Sequence, residues 1–284
     1  MGNSRIRHLP NLAVARYGTL MALQRHYGHG LKEGRRQKAV SRRKAIIFHL
    51  GGTVSLMTIL TVAIYAIWFP EPFGQGLGLW RQMLMLWLLP LGAGPLLTIV
   101  LFKPGKAGLK FDIGFIAAAQ AVALSLSVWM IYQARPVFAV FAVDRFEIVQ
   151  PGGVVFDGAE DSYFTSLPFA GPVYVVAELP TDPKENTELL FSAMDGGGDV
   201  HNFAKYYRPY VAPHINNVID RAKPIRLLLE RDVDTRKGVV DHLGIEADID
   251  HLMYLPMMMR ESVMSAVIDP SNGRVVGVLP VTPN

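Results

Sequence analysis

Apolar residues gather in three long runs in the first half of the chain, whereas the second half mixes apolar and polar positions as water-soluble domains do. The runs cover residues 45–69, 82–102 and 113–132. Each run, as a helix, is long enough to cross a hydrocarbon layer of roughly 30 Å. The pattern predicts three transmembrane helices in residues 45–132, preceded by a tail of residues 1–44 and followed by a domain of residues 133–284.

Prolines and glycines interrupt the second run, which favours a kink or the close approach of another helix. Gly92, Gly94 and Pro95 are therefore candidate partner-binding residues within the membrane. The main polar residues in the spans are His49 and Gln120. Because transport pathways are marked by ionisable residues inside the membrane, a compact helix bundle is favoured over a transporter.

The C-terminal domain carries strand signals at both of its ends. Residues 135–149 are rich in Val and Phe and predict one strand, and residues 173–179 predict a second. Near the C terminus, residues 262–268 and 274–279 flank an Asp-Pro-Ser-Asn-Gly turn, which is typical of a β-hairpin.

Helix signals lie between these strands. Asp182, Pro183 and Glu185 occupy the N-cap, the first position and the capping-box position of a helix expected to end near Met194. Further short helices are expected over residues 213–222, 224–231 and 234–243. The predicted fold class is α+β, with three N-terminal transmembrane helices followed by an α+β domain.

Charge is divided unequally along the chain. Residues 1–44 hold eleven Lys or Arg and one acid, whereas residues 133–284 hold thirteen basic and twenty-one acidic residues. The turn at residues 103–112 has three lysines and one aspartate. The positive-inside rule then places the tail and this turn in the cytoplasm, and the acidic domain in the periplasm of a two-membrane bacterium. We expect the tail to bind anionic lipid of the inner membrane and no nucleic acid.

The sequence lacks the usual motifs of catalysis. The absence of cysteine excludes disulfides, thiolate metal sites and cysteine nucleophiles. No nucleophile elbow, phosphate loop or zinc-protease motif occurs, and the histidines of the C-terminal domain stand singly. Asp195 and Asp199 lack the spacing of a calcium loop, so a plain glycine turn is favoured. We expect no enzymatic activity and no cofactor or metal.

An aromatic cluster marks the middle of the domain. Tyr206, Tyr207 and Tyr210 surround Arg208 in sequence. Such residues are enriched at protein interfaces, and a buried aromatic cluster accounts for them equally well. These three tyrosines and Arg208 are therefore candidate partner-binding residues, in addition to the three in the second membrane span.

Several stretches together carry a resemblance to a known family. They are residues 44–50, 94–98, 102–106, 108–112, 132–137, 141–146, 197–199, 205–210 and 255–256. In this order they resemble the TfpX/TfpZ family of type IV pilin accessory proteins, although residues 1–40 depart from its pattern. The resemblance implies an inner-membrane protein without enzymatic activity. Its partners would be a cognate major type IV pilin and the pilus assembly machinery, in assembly or in pilus extension and retraction.

These observations lead to one mechanistic hypothesis and one principal alternative. In the hypothesis, the apolar helix of a pilin packs on a surface formed by Gly92 and Gly94, while the pilin head meets the C-terminal domain. The alternative is a membrane-anchored periplasmic enzyme that acts on pilin or cell wall, which requires polar side chains to converge in a cleft. The candidates for such a cleft are Asp144, Asp195, Asp199 and His201.

Overall fold

The computed structural model describes residues 42–101, 108–230 and 249–283. Three of its helices are long and apolar enough to cross a membrane. They are α1 (Arg42–Ile67), α3 (Leu79–Leu101) and α4 (Leu109–Ala134). The three predicted apolar helices are thus confirmed, with ends displaced by a few residues. Helix α3 continues through Pro90 and Pro95 and packs against both α1 and α4.

Beyond α4 the chain forms one mixed eight-stranded sheet in the order β4-β3-β1-β2-β6-β7-β8, with β5 beside β6. The strands are β1 (Phe138–Ala142), β2 (Arg145–Val149), β3 (Val173–Ala177), β4 (Tyr207–Pro209), β5 (Lys223–Pro224), β6 (Met253–Met258), β7 (Val263–Ile268) and β8 (Val275–Leu279). Strand β1 runs parallel to β3 and β2 runs parallel to β6, whereas the other pairs are antiparallel.

Helices between the strands complete the domain. They are α5 (Pro183–Met194), α6 (Ile215–Arg221) and α7 (Arg226–Leu229). The α+β fold class is therefore confirmed, as are the predicted strand after residue 173, the C-terminal hairpin and the helix that begins after Asp182. The helix expected over residues 234–243 lies outside the described residues.

The expectation of one strand over residues 135–149 is wrong. Strands β1 and β2 form a hairpin whose ends, Ala142 and Arg145, are paired. Its reversal is made by Val143, whose φ is +60°, and the Asp144 N–H donates to Ala142 O over 2.7 Å. An i to i+2 bond around a residue with positive φ is the strained form of the γ-turn, which carries no Gly or Asn signal in this sequence.

The core of the domain is continuous with the helix bundle. On one sheet face, residues such as Phe141, Met257 and Met264 belong to the same buried cluster as Ile64 of α1 and Leu86 of α3. The opposite sheet face packs against α5 and the segment before β4. Because the domain and the helix bundle bury apolar surface against each other, the domain contacts the ends of the helices directly. The division of the chain at residues 44 and 132 stays a prediction.

The segment between α1 and α3 docks on the sheet. It contains a short helix, α2 (Phe73–Gly76). The Glu261 N–H donates to Gly76 O over 3.0 Å, and the Glu261 carboxylate accepts from Arg81 Nη1 over 2.7 Å. A Cβ on Gly76 would overlap the Met259 sulfur. This segment therefore lies on the same side of the bundle as the sheet.

Two further contacts attach the end of α4. Arg135 is buried, its guanidinium lies 3.6 Å from the centroid of the Tyr132 ring, and it donates to Tyr132 O and to Pro168 O. The ring of Trp68 at the end of α1 lies 5.1 Å from that of Tyr132 and 6.1 Å from that of Phe169. Aromatic rings of this kind are typical of the membrane–water interface.

Candidate functional site

Gly92 and Gly94, both predicted to bind a partner, lie on different sides of α3. Gly92 is exposed, and a Cβ there would meet no atom within 4 Å. Gly94 is buried, and a Cβ there would overlap Gln120 Nε2 and lie 2.8 Å from His49 Nε2. The two glycines therefore do not form the single surface expected from the sequence. Partner binding at Gly92, at Gly94 and at the half-buried Pro95 stays a prediction.

A polar cluster joins the three membrane helices at Gly94. His49 Nδ1 of α1 lies 3.0 Å from Thr98 Oγ1 of α3, and Thr98 Oγ1 donates to Gly94 O over 2.9 Å. From α4, Gln120 Nε2 donates to Pro90 O over 3.4 Å. Polar groups inside a hydrocarbon layer are costly unless they find partners within the protein. The cluster therefore fixes how the helices meet.

An open cavity of about 250 Å³ lies beside this cluster, between α1 and α4. Its lining is mostly apolar, with His49, Thr98 and Gln120 as its polar members. The remaining lining residues are Ala45, Ile113, Ile116 and Ala117. The combination of an apolar wall and a few converging polar groups is typical of a binding site.

The predicted aromatic cluster is largely used inside the fold. Tyr207 is fully buried and donates to His201 O, and Tyr206 is buried and donates to Glu185 Oε1 over 2.8 Å. Tyr210 donates to Gly273 O over 2.8 Å. Burial raises the pKa of both the Tyr207 and Tyr210 hydroxyls. The geometry agrees with the second interpretation of the sequence, a buried aromatic cluster.

Arg208 is also bound within the domain. Its Nε lies 3.2 Å from Glu178 Oε2, and the other oxygen of Glu178 lies 2.6 Å from His214 Nδ1. This group lies beside a polar cleft of about 770 Å³ at the ends of β1 and β3, where Glu178 and Arg221 are among the lining residues. Partner binding at Arg208 and the three tyrosines stays a prediction.

Three of the four side chains considered for an enzyme have structural partners. Asp199 accepts from the Val200 N–H over 2.6 Å as the N-cap of a 3₁₀ turn, and His201 Nδ1 lies 3.9 Å from its carboxylate. Asp144 lies 3.5 Å from Arg145. Within residues 42–101, 108–230 and 249–283, no group of three or more His, Asp or Glu side chains is arranged to hold a metal ion.

Sequence reasoning singled out His49 and Gln120 but gave them no common role, and it missed Thr98. The three residues come from separate spans, so their order in the sequence does not show that they meet. The available signal was their polarity at depths where an apolar residue is expected. Only the packing of α1, α3 and α4 brings them together.

Comparisons with known proteins identify relatives named for fimbrial assembly. The chain is 23% identical over 248 residues to the fimbrial assembly protein of serogroup I from Dichelobacter nodosus, covering 84% of this chain and 94% of that protein. It is 28% identical over 152 residues to the serogroup E1 protein, covering 50% of this chain and 59% of that protein. It is 28% identical over 125 residues to the protein of serogroups C1 and C2, covering 43% of this chain and 95% of that protein.

No family model matches the chain, and no solved structure matches it.

Proposed function

We propose that the protein is a membrane-anchored accessory protein of type IV fimbrial assembly that binds its fimbrial subunit, as members of the TfpX/TfpZ family are expected to do. The observation that carries the proposal is the similarity to a fimbrial assembly protein along most of both chains. That similarity includes the apolar spans and the domain after them, so it concerns the whole architecture rather than one motif.

The shared core of the bundle and the domain supports this role. A fimbrial subunit held in a membrane before assembly presents a membrane helix and a globular head. In this protein the sheet is fixed to the helix ends by buried apolar contacts, by Arg135 and by the docked α2 segment. A receptor built in this way holds its membrane-embedded and water-exposed surfaces at one fixed spacing.

We infer that the protein spans the inner membrane in one orientation. The tail and the 103–112 turn lie in the cytoplasm, and the acidic domain lies in the periplasm, on the argument from the distribution of Lys and Arg. The protein acts by binding and not by catalysis. Support comes from the structural partners of Asp144, Asp199 and His201: Asp144 pairs with Arg145, Asp199 caps a 3₁₀ turn, and His201 lies beside the Asp199 carboxylate.

Deletion of the gene tests the role in fimbrial assembly. We expect the deletion strain to lose surface fimbriae and twitching motility, and a plasmid copy of the wild-type gene to restore both. A copy carrying Lys184→Ala, at an exposed position of α5, serves as the matched control and restores both equally. Normal fimbriae and motility in the deletion strain would contradict the proposal.

A further inference from the structure

Two polar atoms lie together at the cavity between α1 and α4. His49 Nε2 and Gln120 Nε2 both lie next to the point that a Cβ on Gly94 would occupy. Both residues line the cavity. Among the described residues, no hydrogen bond joins these two atoms, and Gln120 Nε2 donates one of its two protons, to Pro90 O. The second Gln120 proton and the Nε2 side of the imidazole are therefore available to a ligand.

The hydrogen bonds of Thr98 fix which atom of His49 carries the proton. The Thr98 hydroxyl has one proton, and it donates that proton to Gly94 O. Thr98 Oγ1 must then accept from His49 Nδ1–H. In the neutral imidazole, Nε2 is consequently a bare acceptor. The cavity presents an acceptor and a donor side by side.

This pair defines the chemistry of the ligand. A carboxylic acid donates its hydroxyl proton to His49 Nε2 and accepts the Gln120 N–H at its carbonyl oxygen. If the imidazole is protonated, His49 Nε2 becomes a donor as the Gln120 amide nitrogen already is, and a carboxylate accepts from both. A carboxyl group therefore satisfies the pair in either charge state. We propose that the cavity is a receptor for a carboxyl side chain carried by the transmembrane helix of a partner.

The shape of the cavity rim favours a helix over a lipid headgroup. His49 lies about 6 Å along α1 from the start of the apolar run at residue 45, at the rise of an α-helix, which places it within the apolar span. Next to the cavity, the exposed surfaces of α1 and α4 carry small residues. They are Gly52, Gly114, Ala117, Ala118 and Ala121. A Cβ on Gly52 or Gly114 would meet no atom within 4 Å, so the backbone of a further helix can approach closely.

The identity of that helix rests on the proposed function, in which it belongs to a fimbrial subunit. The receptor chemistry rests on the cavity alone. The two are tested separately, because the experiment below uses synthetic peptides and the test of the proposed function uses surface fimbriae.

The test measures association of the full-length protein in lipid nanodiscs with labelled transmembrane peptides, by energy transfer. The peptides are Leu/Ala helices that carry Glu, Gln or Leu at one position, and that position is moved along the helix in a series. At the best depth we expect the Glu peptide to bind roughly tenfold more tightly than the Leu peptide, the effect of two interhelical hydrogen bonds. Gln120→Leu and His49→Phe should each abolish most of this preference.

The matched control is Thr61→Val. It removes the hydrogen bond that Trp87 Nε1 donates to Thr61 Oγ1 over 3.0 Å, which joins α1 to α3 away from the cavity. This variant should keep the full preference for the Glu peptide. Size-exclusion profiles and far-UV circular dichroism of each variant report whether it folds.

Three results would overturn the proposal. The first is equal binding of the Glu and Leu peptides to the wild-type protein at every depth, which needs no variant. The second is an undiminished preference in folded Gln120→Leu protein. The third is loss of the preference when phosphatidylglycerol replaces phosphatidylcholine in the nanodisc, which would assign the site to an anionic lipid.

Discussion

At the scale of single residues, Gly92 and Gly94 of α3 differ in the space available to a side chain. A Cβ on Gly94 would overlap Gln120, whereas a Cβ on Gly92 would enter open space. Gly94 therefore permits the polar contact among α1, α3 and α4, and Gly92 does not take part in it. The same substitution can therefore be compared at two neighbouring positions of α3.

We expect Gly94→Ala to lower the free energy of unfolding by about 1–3 kcal/mol, since the helices must move apart to admit the methyl group. Gly92→Ala should not lower it, because Ala favours a helix over Gly. Thermal unfolding of the full-length protein in detergent measures both. Equal loss in the two variants would show that the space in front of Gly94 is not restricted.

Glu185 shows how a residue predicted for one role takes another. It was expected to complete a capping box, but its carboxylate accepts from Lys205 Nζ over 2.7 Å and from Tyr206 Oη over 2.8 Å. The predicted N-cap is confirmed, because Asp182 accepts from the Lys184 N–H over 3.1 Å. The spacing of residues along the chain reveals the local cap, but it does not reveal partners twenty positions away.

These bonds make stability depend on pH. The hydrogen bonds from Lys205 and Tyr206 lower the pKa of Glu185 below its ordinary value of 4.5. A lowered folded-state pKa gives stability that is present above the unfolded-state value and is lost as pH falls through the folded-state value. The melting temperature should fall as the pH is lowered below about 5, and it should fall less in the Glu185→Gln variant than in the wild-type protein. The exposed Glu188→Gln variant is the control and should leave the fall unchanged.

At the scale of elements, the sequence predicted those whose signals are local. The three spans follow from uninterrupted apolar length, and the C-terminal hairpin follows from its turn residues, in which Asp269 accepts from Ser271 and Gly273 has a positive φ. Strand β6 was not predicted. It contains Pro256, which weakens a strand signal, and its place between β2 and β7 depends on distant pairing.

The hairpin turn of β1 and β2 stores strain that a substitution releases. Val143 is β-branched and exposed, yet its φ is +60°. Because Gly adopts this conformation freely, Val143→Gly should raise the free energy of unfolding by roughly 1 kcal/mol. Val211→Gly, at another exposed valine without a positive φ, should not raise it. Chemical denaturation of both variants provides the measurement, and a destabilised Val143→Gly protein would contradict the strained turn.

At the scale of the whole molecule, the apolar bundle and the acidic domain form one body through a shared core. Sequence reasoning distinguished them by composition but did not show this docking, because the contacting residues are scattered over α1, α2, α3 and β7. Sequence reasoning did not find the candidate site for the same reason. His49, Thr98 and Gln120 lie on three spans, and only their packing places them around one cavity.

The proposed orientation predicts which surfaces an impermeant reagent reaches. The chain has no cysteine, so single substitutions can be labelled without background. Glu160→Cys, exposed in the domain, should react with a membrane-impermeant maleimide in intact cells. Lys110→Cys, exposed at the start of α4, should react only after lysis. The reverse pattern would contradict the orientation.

Photo-crosslinking in living cells that produce fimbriae tests most directly whether the fimbrial subunit binds at the cavity. A photoreactive amino acid replaces Ala117, which lines the cavity, or Trp129, an exposed position elsewhere on α4. Mass spectrometry identifies the adducts. We expect the fimbrial subunit to be crosslinked from position 117 and much less from position 129. Absence of the subunit from the adducts of position 117, in cells that display normal fimbriae, would contradict this expectation.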